Sequence, residues 1–262
     1  MKKVEFQTIN IEQGVATFIN LNRPDVHNAM NAKMISELTV AFTEIPKDAS
    51  IRLIVLRGNG KSFCAGADLN YMKGIAEFGF DENVQDGKRL AGLFNSVYDC
   101  PIPTIALVHG SAFGGANGLL AACDIVIAEQ NTNFAFSEVK LGIAPATIAP
   151  FVIKRIGEFG AKELMLTGKR FNAKEAQKWN LVNHVYDSEK DENPLNDLLK
   201  QFESSAPGAV RETKILIKNI LGKDISEGIE TTSKLIAKLR ASDEGQEGMT
   251  AFLEKRKPNW TK

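Results

Sequence analysis

Two glycine-rich turns, Cys64-Ala65-Gly66-Ala67-Asp68 and Phe113-Gly114-Gly115-Ala116, carry the most readable chemistry in this chain. Each follows an apolar run with the composition of a buried strand, Ile51 to Leu56 and Thr104 to Val108, and each leads into apolar residues at helical spacing. A strand-to-helix turn leaves backbone N–H groups without intrahelical acceptors at the positive end of a helix dipole. Two such turns aimed at one point would hold an oxyanion as it develops. Either turn alone is equally well explained by tight packing or by a positive φ that glycine tolerates; the pair favours chemistry. Neither has GxxxxGK[ST] or GxGxxG spacing, so they are not nucleotide motifs.

Glu138 is the next candidate, within Phe134-Ala135-Phe136-Ser137-Glu138-Val139-Lys140-Leu141-Gly142. Among apolar neighbours a glutamate is desolvated, which raises its pKa and suits it to moving protons near neutrality. The local sequence by itself favours the plainer alternative, an exposed glutamate in a first helical turn capped by Ser137. The other polar residues form no rival constellation. His27, His109 and His184 have no metal-ligand spacing, and His109 reads as a packed, hydrogen-bonded side chain. Ser111 lacks a GxSxG elbow, and Cys64 reads as a small buried thiol rather than a nucleophile.

The elements that must position these residues follow from periodicity. Phe6 to Asn10 and Val15 to Leu21 alternate around Glu12-Gln13-Gly14 as a hairpin, and Asn31 is placed to cap a helix through Met34, Ile35, Leu38 and Phe42. Residues Asn70 to Leu90 mix charges with Phe78, Gly79 and Phe80 and read as a mobile loop, overlapping a helix from about Val84 to Val97. Strand Asp124 to Ala128 continues the β-then-α rhythm, and a last short strand is expected over Leu181 to Val185. Pro207 to Leu221, Ser226 to Leu239 and Asp243 to Lys255 have apolar residues at helical intervals and need a partner surface, in the parent domain or another subunit. The expectation is a mixed α/β body over residues 1–200 and a helical region over 201–262.

The 262 residues hold 32 Lys plus Arg against 32 Asp plus Glu. That balance argues against a general nucleic-acid or membrane-surface binder. Three cysteines without CxxC spacing predict neither a disulfide framework nor a metal site, and a reduced, cytoplasmic setting is expected. No apolar run approaches membrane-spanning length.

Lys61 to Leu69, Val108 to Ala116 and Ala122-Cys123-Asp124-Ile125 closely resemble the two signature segments of the crotonase (enoyl-CoA hydratase/isomerase) superfamily. The likeness extends through Leu21-Asn22-Arg23-Pro24, Ser137 to Gly142 and the tail Ala251 to Lys257, and so spans essentially the whole chain. Within the family it looks most like bacterial methylglutaconyl-CoA hydratases of leucine degradation, over Ala112 to Asp124, Ile143 to Phe151 and Glu244 to Lys257.

The resemblance implies a ββα spiral core with a C-terminal helical trimerisation region, and a homotrimer or a hexamer of paired trimers. It implies an acyl-CoA substrate, with coenzyme A part of that substrate and no separate cofactor. Ala67 and Gly115 match the residues whose N–H groups hold the thioester oxygen, within turns that include Gly66, Asp68, Leu69 and Gly114. Ala65 matches a contact to the adenine of coenzyme A; Val26 and His27 fall in a segment lining its nucleotide and pantetheine path. Phe252 and Lys255 match tail residues that reach the coenzyme A of a neighbouring subunit.

Glu138 matches one of the family's two catalytic glutamates, whereas the other falls at Gly118, where a glycine would leave room beside the thioester. One glutamate working twice, or an acid entering from Glu77, Asp81 or Glu82, would restore a hydratase. A Δ3,Δ2-enoyl-CoA isomerase needs only Glu138, and an acyl-CoA binder without catalysis needs neither. For a 3-methylglutaconyl group, Lys73, Lys88 and Arg89 are nominated to meet the distal carboxylate.

Overall fold

The N-terminal alternation forms an antiparallel hairpin, β1 (Ile9–Glu12) and β2 (Ala16–Leu21), with Ile9 opposite Leu21 and Glu12 opposite Phe18. The structure, a computed structural model, describes residues 5–261. Parallel strands β3 (Leu53–Gly58) and β4 (Thr104–Val108) extend the sheet from β2. Leu53, Ile54, Val55 and Leu56 are all buried, as a strand covered on both faces requires. Further along lie β5 (Ser111–Phe113), β6 (Ile125–Glu129), β7 (Asn133–Ala135), β8 (Arg170–Asn172) and β9 (His184–Tyr186). The large sheet runs β1-β2-β3-β4-β6-β9 and a small one β5-β7-β8.

The helices of this part of the chain are α1 (Ala32–Glu44), α2 (Leu69–Ile75), α3 (Phe80–Tyr98), α4 (Ala116–Ala122), α5 (Ala149–Thr167) and α6 (Ala173–Lys178). Asn31 caps α1 as expected, accepting the Met34 N–H at 2.9 Å. The repeating unit is a strand of the large sheet, a short strand of the small one, then a helix: β4-β5-α4, then β6-β7 and a 3-10 turn at Ser137–Leu141. A reduced copy begins at β3, where Cys64 alone bridges Ala112 of β5 before α2 starts. This is the ββα spiral that the sequence resemblance implies.

The expected loop over Asn70 to Leu90 is instead two ordered helices. Asp68 caps α2 by accepting the Asn70 and Tyr71 N–H groups, at 2.9 and 3.1 Å. Glu82 reaches back to the Gly79 N–H at 2.8 Å and starts α3. Both are first-turn devices that satisfy orphan donors.

One compact unit runs to Leu195 apart from Pro101–Pro103; the other comprises Pro101–Pro103 and the chain from Asn196 onward. In the second, α8 (Pro207–Ile220), α9 (Ile225–Ala241) and α10 (Asp243–Leu253) follow α7 (Leu195–Ser204). The Glu244 carboxylate accepts the Gly208 and Ala209 N–H groups, both at 2.9 Å, and so closes the N-terminus of α8. Ile225, Ile229, Phe252 and Leu253 are exposed on this unit. Among the described residues no helix is long and apolar enough to cross a membrane.

Candidate active site

The two glycine turns are hydrogen-bonded to each other. Phe63 N–H donates to His109 O at 2.9 Å, Cys64 N–H to Ser111 O at 3.0 Å, and Phe113 N–H to Cys64 O at 3.1 Å. On the other side Met30 N–H donates to Gly66 O at 2.7 Å, and Asp68 N–H to Met30 O at 2.9 Å. This lattice consumes the neighbouring amides. Among the described residues neither the Ala67 nor the Gly115 N–H has an acceptor in the protein, and both residues line one pocket of about 410 Å³. An unpaired amide at a helix start is a polarised donor, and two facing one pocket form an anion cradle.

The glycines are needed where backbone meets backbone. Gly66 has φ of 98°, and a Cβ there would lie 3.0 Å from the Phe113 carbonyl oxygen. Gly114 has φ of 53°, and its Cβ would lie 3.4 Å from Glu138 Oε1. Both values are in the left-handed region, and the second distance shows that the Glu138 carboxylate lies against the second turn.

Glu138 does occupy the first turn of a helix, the 3-10 turn at Ser137–Leu141, but is only half exposed and has no side-chain cap before it. Its Oε2 is buried without a hydrogen-bond partner. Burial lifts its carboxyl above the usual range, against a smaller opposing effect of its own backbone N–H. The local reading of an exposed, capped glutamate is therefore corrected: segments distant in sequence desolvate it.

The room expected beside Gly118 does not exist. A Cβ there would lie 2.5 Å from Ile148 Cγ2 and 2.8 and 2.9 Å from Phe94 Cζ and Cε1. Phe94 and Ile148 are buried, and Gly118 does not line the pocket. The volume that a longer side chain would need is filled by these two side chains.

The pocket gathers Ala65, Gly66, Ala67, Leu69, Gly114, Gly115 and Glu138. Asp68 stands apart as the cap of α2, paired with Arg23 at 2.8 Å. Burial alone would raise its pKa, but the Tyr71 N–H, the Arg23 guanidinium and the Asn70 N–H together hold it below the usual range. Val26 and His27 also lie outside the pocket; the His27 carbonyl accepts the Ala65 N–H at 2.9 Å. Phe252 and Lys255 belong to the second unit and are exposed. Cys64 is fully buried and its thiol pushed up to about 12, which leaves it neutral and unsuited to attack. His109 donates its Nε2–H to the Gly60 carbonyl oxygen at 2.9 Å, the hydrogen-bonded role expected of it.

The nominated second acids do not reach the pocket. Glu77 and Asp81 are exposed and Glu82 is spent on the start of α3. Lys73, Lys88 and Arg89 are also absent from the lining. What sequence reasoning missed is Tyr71, which lines the pocket and whose hydroxyl meets Asp86. The signal available was Asp68 three residues before Tyr71, a cap spacing that would have turned the supposed loop into a helix. Among the described residues no group of three His, Cys, Asp or Glu could hold a metal ion.

The family model for enoyl-CoA hydratase/isomerase matches residues 10–262. A short-chain-enoyl-CoA hydratase of Clostridium acetobutylicum is 32% identical over 261 residues, covering 97% of each chain. A mitochondrial Delta(3,5)-Delta(2,4)-dienoyl-CoA isomerase of Dictyostelium discoideum is 32% identical over 271 residues, covering 98% of this chain and 92% of that one. A crystal structure of an enoyl-CoA hydratase/isomerase from Marinobacter aquaeolei superposes with a TM-score of 0.92 at 37% identity, covering 97% of this chain and 99% of that one.

Proposed function

Since the chain belongs to the enoyl-CoA hydratase/isomerase family, we propose that it adds water to a 2-enoyl-CoA through an oxyanion-stabilised thioester enolate. The observation that carries this reading is one pocket holding two unpaired amides, at Ala67 and Gly115, and a desolvated Glu138. The amides hold the thioester oxygen as charge moves onto it, an interaction stronger in the transition state than in the ground state. Glu138, its pKa raised by burial, donates and recovers a proton at the α-carbon. Each amide of such a pair is worth about 10²–10³ in rate.

The sequence resemblance nominates 3-methylglutaconyl-CoA as substrate. The pocket qualifies that choice: its lining contains no Lys, Arg or His, and its ionisable side chains are Tyr71 and Glu138. A distal carboxylate would therefore depend on hydroxyl or backbone donors such as Ser137 and Thr147, whereas Met30, Ile35, Met72, Leu90 and Ile143 suit an apolar acyl chain. Coenzyme A contacts from Val26, His27 and Ala65, and from a neighbouring subunit's copies of Phe252 and Lys255, belong to the same proposal, as does a trimer or paired trimers. Exposed Ile225, Ile229, Phe252 and Leu253 support an oligomer. Three buried cysteines that form no disulfide support a reducing cytoplasm.

Gly118 favours one second reading, a Δ3,Δ2-enoyl-CoA isomerase in which Glu138 alone shuttles a proton between two carbons. Incubation with 2-enoyl and 3-enoyl thioesters, followed by mass, separates the two: hydration adds one water and isomerisation none. Failure to hydrate any 2-enoyl-CoA, 3-methylglutaconyl-CoA included, defeats the hydratase reading. A binder without catalysis has no use for preorganised charge stabilisation.

A further inference from the structure

The pocket contains a second ionisable side chain that the reading so far leaves idle. Tyr71 lies one helical turn beyond Ala67, with its N–H on the Asp68 cap. Tyr71 lines the same pocket as Ala67, Gly115 and Glu138. The hydroxyl is 2.6 Å from both carboxylate oxygens of Asp86, which is buried on α3 and also receives Arg89 at 2.8 Å. A buried carboxylate beside an apolar pocket is weak evidence for stability, because its desolvation offsets most of the attraction.

We propose that Tyr71 and Asp86 form the second proton-transfer unit of the site, replacing the acid that Gly118 lacks. The proposal rests on the hydratase reading. As water attacks the β-carbon, one of its O–H bonds breaks and the proton passes to the Tyr71 oxygen. The phenolic proton passes in the same motion to the Asp86 carboxylate, so Tyr71 ends neutral as it began. The π electrons move to the α-carbon and the thioester oxygen, and the α-carbon takes its proton from Glu138. One water is consumed; Asp86 has gained a proton and Glu138 has lost one, and exchange with solvent restores both. Burial, reinforced by the Asp86 carboxylate, lifts the phenol above its ordinary range. That keeps the phenolic proton in place at neutrality, with a lone pair left for the water. Tyr71 is the catalytic residue and Asp86 a positioning residue that acts through it.

The test compares hydration of but-2-enoyl-CoA with exchange of the α-protons of butanoyl-CoA into D₂O, which needs the amides and Glu138 but no attacking water. Tyr71→Phe and Asp86→Asn are each expected to lower kcat for hydration by about 10²-fold or more, with KM and the exchange rate within about threefold of the parent. Glu138→Gln is expected to lose both reactions. A purely structural tyrosine would lower hydration and exchange together, and that result overturns the relay. So does hydration at the parental kcat in either Tyr71→Phe or Asp86→Asn. A parent protein that hydrates no 2-enoyl-CoA overturns the hydratase reading and the relay with it; a parent that hydrates normally beside an unaffected Tyr71→Phe overturns the relay alone.

Discussion

Putting back the acid at position 118 is predicted not to improve hydration but to damage the fold. A Cβ at Gly118 meets three side-chain atoms closer than 3.0 Å, on Ile148 and Phe94, both buried. Forcing an extra carbon into such packing costs about 2–3 kcal/mol, the upper part of the overpacking range, because neither neighbour has solvent to retreat into. Replacing glycine inside a helix returns about 1 kcal/mol of propensity. Gly118→Ala should therefore be less stable by about 1–2 kcal/mol, which for a chain of this size lowers Tm by about 2–8 °C. Gly118→Glu adds the cost of burying a carboxyl without a partner, several kcal/mol more, and should fail to fold or hydrate no faster than the parent. Thermal unfolding of Gly118→Ala, Ile148→Ala and the double variant provides the check. Ile148→Ala alone costs about 2–5 kcal/mol, and because it removes the closest clash the double variant should lose less than the sum. A Gly118→Ala protein with an unchanged or raised Tm, or a Gly118→Glu protein that hydrates faster than the parent, would refute the claim that the site is filled.

The raised pKa of Glu138 makes its carboxylate a cost to the fold that appears as pH rises through the folded value. Glu138→Gln should accordingly match the parent's Tm below the ordinary glutamate pKa and exceed it by a margin that grows as pH rises above that value and levels off once the folded pKa is passed, read by scanning calorimetry across pH; a margin that shrinks with pH would show the opposite shift. Asp68 has its pKa held low, so the stability it contributes is present above the unfolded value and lost as pH falls through the folded one. Asp68→Ala should lose about 1–2 kcal/mol of cap stabilisation in urea titrations at pH 7, with the deficit narrowing in acid. Because Cys64 is buried with its thiol pushed up to about 12, and Cys100 and Cys123 are buried too, treatment of the native protein with iodoacetamide should leave activity unchanged and all three thiols unlabelled by mass.

What could be read from the chain was whatever local physics decides. The apolar run beginning at Ile51 became a strand buried on both faces, Asn31 capped its helix, and the two glycine turns were placed correctly because strand, glycine and helix follow one another in sequence. What could not be read was settled between segments. The stretch from Asn70 to Leu90 looked irregular because its order comes from side chains reaching back to amides, Asp68 at one helix start and Glu82 at the next. Tyr71 and Asp86 meet only once those two helices pack. The space at Gly118 belongs to Phe94 and Ile148, one far upstream and one far downstream, and no local pattern names them. Glu138 looked exposed for the same reason: its neighbours in sequence are those of a helix start, while its burial comes from the glycine turn at Gly114 and the chain around the pocket.

The most direct test of the central claim is the mass of the product formed from but-2-enoyl-CoA in ¹⁸O-water, measured for the parent and for Glu138→Gln. The account predicts addition of one labelled water by the parent and a rate about 10²–10⁴ lower in the variant. A parent that leaves the thioester mass unchanged, or a folded Glu138→Gln that hydrates as fast as the parent, would contradict it.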